Sequence, residues 1–161
     1  MITVKISVSQ PVAEYIRGRF YDRDAQCVRF PSSSDIYVTI YDLMSRRPAG
    51  AGVDVGNLEF ALPDRRDANV AGGKNPEAYN YISARAAEIL ERRFRVMMWA
   101  ELHDYMDECK HLRGIQFKES AYVFLQRYGI ESLSEDALLK NYQRWRDKLR
   151  RSKRREYNRR K

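Results

Sequence analysis

Near the C-terminus Lys140, Arg144, Lys148, Arg151 and Arg155 recur at intervals of three and four residues, with Arg146, Arg150 and Arg154 on the adjacent flank and Lys153 among them. On a helix the first five share one face. A guanidinium is permanently charged, forks onto two phosphate oxygens and can also address the edge of guanine. The chemistry this pattern fits is electrostatic capture of a polyanion, with duplex DNA as the expected partner. Arg144, Lys148 and Arg151 are the residues expected to carry that capture.

The charge is local. The chain has 161 residues and a net charge of +8, from 30 Lys+Arg against 22 Asp+Glu. Residues 140–161 hold 12 of the positive and 2 of the negative side chains, which leaves the first 139 residues at −2. A solvated helix face usually mixes signs, whereas this one contains only Asp147 and Glu156. Nucleic-acid binding therefore belongs to the C-terminal end, and the rest of the chain is electrostatically ordinary.

Other candidate chemistry is weaker. His103, Asp107 and His111 lie four residues apart on one helical face, and two His with a carboxylate are legitimate zinc ligands. Each step climbs the helix about 6 Å, so the outer pair cannot share one ion without a break, and a solvated polar face is expected instead. Cys27 and Cys109 lie in apolar settings, fit free thiols in a reducing cytosol and have no neighbouring Cys at ligand spacing. Gly72-Gly73-Lys74 lacks the earlier glycine and the Ser or Thr of a phosphate loop. The carboxylates of Glu101, Asp104, Asp107 and Glu108 have ordinary exposed helix spacing. The expectation is a non-enzymatic protein with no cofactor, metal or small-molecule substrate. No apolar run exceeds the five residues of Val96 to Ala100, so no membrane span is expected, and the N-terminus lacks the pattern of a signal peptide.

The elements that must position the basic face follow from periodicity. Ile2, Val4, Ile6 and Val8 alternate as a half-buried strand, and Pro11 opens a helix through Phe20. Cys27 to Phe30 reads as a short strand, and the cluster Ser32 to Asp35 offers caps for a helix burying Ile36, Ile40, Leu43 and Met44, although the β-branched content of Ile36 to Ile40 argues for a strand there. Gly56-Asn57 between Val53/Val55 and Leu58/Phe60/Leu62 predicts a hairpin. The expected fold class is α+β: a small β-α-β-α-hairpin module over 1–63, a linker over 64–75, a helical unit over 76–150 and a basic, disordered tail over 151–161. In the helical unit, Asn75-Pro76 starts a helix to about Arg113 whose length suggests an internal kink. A second helix ends at Gly129, and Ser134 caps a third. That third helix buries Leu138, Tyr142, Trp145 and Leu149 opposite the basic face.

A helix closed by Gly129, a short connection and a capped basic helix have the outline of a helix-turn-helix. The pattern Ala121-x-x-Phe124-Leu125-x-x-Tyr128-Gly129-Ile130, then Leu138-x-x-x-Tyr142-x-x-Trp145 with a Lys/Arg-rich end, resembles the C-terminus of small uncharacterised basic proteins of phage and other mobile elements. The resemblance implies a DNA-associated accessory or regulatory role in the cytoplasm and transfers no catalytic residue. Two alternatives stand beside it. One is an interaction or oligomerisation module whose basic end meets an acidic partner; the other is RNA binding, with Tyr142, Trp145 and Tyr157 stacking on unpaired bases.

Overall fold

In the computed structural model, residues 1–64 and 73–159 are described, the last two by backbone only. The architecture is α+β, with strands and helices in the first part of the chain and helices alone thereafter. Two compact units divide it, Met1–Val96 and Met97–Lys161. The division falls inside a helix rather than at residues 64–75, and 65–72 of that predicted linker lie outside the described residues.

The first unit is built on a four-stranded sheet. β1 (Thr3–Ile6) pairs antiparallel with β4 (Leu58–Ala61), with Val4 opposite Phe60. β3 (Cys27–Val28) joins β4 in parallel and β2 (Tyr21–Asp22) in antiparallel, giving the order β1-β4-β3-β2. Alternation works as expected in β1: Val4 and Ile6 are buried while Lys5 is exposed. α1 (Gln10–Phe20) starts with Pro11 in its first turn and buries Val12, Ala13, Tyr15 and Ile16. α2 (Asp35–Leu43) is capped by Ser34, whose Oγ accepts the Tyr37 N–H at 3.2 Å, and it buries Ile36, Tyr37, Ile40 and Tyr41. Phe30 joins these layers, stacked 5.5 Å from Phe94 and edge-on to Phe60 at 5.8 Å.

The expected hairpin over 53–62 is absent; Val53 and Val55 are exposed and only Leu58–Ala61 is a strand. Gly56 instead passes against β1, where an added Cβ would lie 2.2 Å from the carbonyl carbon of Ile6. Asn57 then clamps the chain two residues past the end of β1, accepting the Val8 N–H at 2.9 Å and donating its amide to the Val8 carbonyl at 2.8 Å. Gly-Asn serves here as a close approach and a side-chain rung, two uses the dipeptide shares with a turn.

The long helix also starts later than Asn75-Pro76 suggests. Asn75 accepts the Glu77 N–H and closes a single turn, after which Tyr81 exchanges two backbone hydrogen bonds with Ser45. α3 (Ala84–Arg113) begins beyond that bridge, with Ser83 Oγ accepting the Ala86 N–H at 3.2 Å. Its first turns, through Ala86, Leu90 and Phe94, are buried in the first unit.

The second unit comprises the remaining turns of α3, then α4 (Phe117–Tyr128) and α5 (Glu135–Arg159). α4 ends as expected at Gly129, which takes the left-handed conformation (φ 61°) while the Ile130 N–H returns to the Leu125 carbonyl at 2.9 Å. Ser134 caps α5 by accepting the Ala137 N–H at 3.2 Å. Met98, Leu102, Met106, Cys109, Ala121, Phe124, Leu125, Leu138 and Tyr142 form the core.

Candidate nucleic-acid interface

The basic face depends on how α5 is held. Its first three turns are fixed to α3 by a ladder of polar and aromatic contacts. His103 lies flat on Trp145, with ring centroids 4.5 Å apart and planes 15° apart, and its Nε2 is 2.7 Å from Asn141 Oδ1. One turn along, the Tyr142 hydroxyl donates to the Asp107 carboxylate. Burial pushes the Tyr142 phenol up to about 12, and the hydrogen bond to anionic Asp107 acts in the same direction. α4 is fastened similarly, its Tyr128 hydroxyl donating to Glu101.

This ladder corrects the expectation of a solvated polar face at His103-Asp107-His111. His103 is buried and Asp107 is engaged by Tyr142; only His111 is exposed, 3.9 Å from Asp107. A signal was present in the sequence: His103 and Asp107, four residues apart, face Asn141, Tyr142 and Trp145 at matching helical spacing.

Among the predicted site residues the structure separates Arg146 from the rest. Its guanidinium lies 5.7 Å from the ring centres of both Phe117 and Tyr142, so it seals the end of the core and is half-buried. Leu149 also departs from expectation: it is 42% exposed, and the apolar stripe of α5 stops at Trp145. From Asp147 to Tyr157 every side chain is exposed.

Residues 151–159, expected to be a disordered tail, continue α5 as helix. The reason is cooperative: nucleation is the costly step, and the packed turns before Arg146 supply it. Arg, Lys and Glu propagate helices well, and neither Gly nor Pro follows Gly129. The result is an arm of about 20 Å beyond Trp145. On it Lys148, Arg151, Lys153, Arg154 and Arg155, together with Lys140 and Arg144 nearer the base, are exposed and have no carboxylate partner among the described residues. Arg150 touches Asp147 at 4.0 Å across exposed helix surface, a contact too weak to hold it from a phosphate.

The body that carries the arm has the opposite sign. Between residues 97 and 139 there are 4 Lys+Arg and 8 Asp+Glu. The other sites considered from sequence carry structural duties. The Lys74 ammonium donates to the Tyr41 and Asp42 carbonyls at the end of α2, and both cysteines are buried as free thiols. Burial pushes the Cys27 thiol up, and the neighbouring Asp22 and Glu59 charges push it further. Among the described residues no His, Cys, Asp or Glu trio is grouped to hold a metal ion, and no helix is long and apolar enough to cross a membrane.

No protein family, curated protein or solved structure matches the chain. Its functional reading is carried by side-chain placement.

Proposed function

We propose that this protein is a non-enzymatic DNA-binding protein of accessory or regulatory type, cytoplasmic and possessing no cofactor, which contacts duplex phosphates through the basic arm of α5. The observation that carries the reading is a helix whose buried base is fixed by Tyr142 and Trp145 and whose outer turns are exposed and cationic on most of their surface. Anchoring matters because an arm already helical orders little more on binding, which lowers the entropic cost of association.

RNA recognition by base stacking has less support. Tyr142 is in the core and Trp145 is stacked on His103, leaving Tyr157 as the exposed aromatic of the three. An acidic protein partner would find the same cations, so the deciding experiment compares duplex DNA, single-stranded DNA, RNA and polyglutamate at two salt concentrations. The expected result is tightest binding to duplex DNA with a steep salt dependence. Equal affinity for polyglutamate, or preference for single strands, would overturn the reading.

A further inference from the structure

We infer that the outer turns of α5, rather than its N-terminal turns, enter the major groove of B-form DNA, with Arg151 and Arg154 toward the base edges. This deepens the proposal above and rests on it. A helix-turn-helix ordinarily offers the N-terminal residues of its second helix to the bases. Here that end is anionic, with Glu131, Glu135 and Asp136 before the first cation, Lys140, and the acidic body beside it in sequence would be repelled by phosphate.

The angular distribution of charge on the arm points to a groove. At about 100° per residue, Lys148, Arg150, Arg151, Lys153, Arg154 and Arg155 span about 220° of the helix circumference. A helix lying on one flat anionic surface addresses roughly half its circumference at most, whereas a helix in a groove meets a phosphate strand on each side. Lys148 and Arg155 form one flank, Arg150 and Lys153 the other, and Arg151 and Arg154 lie between them, in the sector that at the arm's base also holds Asp147. The stripe without cations, Trp145, Leu149, Ser152 and Glu156, is confined to about 60° on the opposite side and would face out of the groove. The fully exposed stretch from Asp147 to Tyr157 is about 16 Å long, enough to cross a major groove about 12 Å wide. The deep, narrow major groove of A-form RNA would not admit it.

The test is dimethyl sulfate methylation of guanine N7, which lies in the major groove, on a 20-base-pair mixed-sequence DNA duplex saturated with the full chain. Salt titrations run in parallel on an RNA duplex of the same sequence. Guanine N7 is expected to be protected, and the minor-groove ligand netropsin should not displace the protein. Arg151→Ala with Arg154→Ala should remove the protection while changing the salt slope by less than one. Lys148→Ala, Arg150→Ala, Lys153→Ala and Arg155→Ala together should flatten the slope by about three to four, near 0.9 per phosphate contact. Protection that is absent from the saturated complex, or that survives the Arg151/Arg154 double substitution, overturns the groove assignment while leaving DNA binding intact. So does displacement by netropsin or equal affinity for the RNA duplex. Failure to bind any duplex overturns both the assignment and the function on which it rests.

Discussion

Two halves of one helix behave differently. Over Glu135–Arg146, one face of α5 is spent on its own fold while Lys140 and Arg144 on the other stay exposed: Leu138 and Tyr142 are buried, Trp145 stacks on His103, and even Arg146 turns over the Phe117 and Tyr142 rings. Over Asp147–Tyr157 no side chain is buried, and the cations face water. The same residue type, arginine, is a packing group at 146 and an exposed charge at 151. The difference teaches that charge count alone does not define an interface; the neighbouring element decides which guanidinium remains available.

The contrast predicts separable phenotypes, largest in the inner half. Tyr142→Ala removes a side chain 1% exposed and strips Asp107 of its donor, so it should cost about 3–5 kcal/mol in chemical denaturation. Next is the alkaline limb of stability. Because the Tyr142 phenol is pushed up to about 12 from an ordinary 10, the folded chain retains a proton that the unfolded chain releases first. The contribution is complete below pH 10 and is lost as pH rises through 12, amounting to about 2–3 kcal/mol; Tyr142→Phe should remove that part of the decline. Arg146→Ala should cost about 0.5–2 kcal/mol of stability through its two ring contacts and leave the salt slope of DNA binding unchanged. Lys148→Ala, two residues along, should do the reverse: the denaturation midpoint holds and the slope falls by about one. A stability loss at Lys148 or a slope change at Arg146 would erase the boundary between the two halves.

Much of this organisation was legible in the sequence because it is local. The period of β1, the Ser34 and Ser134 caps, the left-handed Gly129 and the α+β class all follow from short-range patterns. What was misread depends on distant partners. Gly56-Asn57 has turn composition, but its use is set by Ile6 and Val8, some fifty residues earlier. Pro76 opens a turn and not α3, because Tyr81 is drawn into a bridge with Ser45. At the candidate site, the cationic residues were identified individually, yet the inward turn of Arg146 and the burial of His103 depend on rings from other helices. The helical continuation to Arg159 also eluded composition, which registers self-repulsion but not the nucleus already supplied upstream.

The central claim is that the outer half of α5 is a phosphate-binding arm. It is tested most directly by titrating the full chain onto a 20-base-pair duplex over a series of salt concentrations. With about four phosphates neutralised by Lys148, Arg150, Lys153 and Arg155, log K should fall against log salt with a slope of about −3 to −4, and substituting Lys148, Arg150, Arg151, Lys153, Arg154 and Arg155 by Gln should flatten it toward zero. A slope near zero in the unsubstituted chain, or one unmoved by the six substitutions, would contradict the account.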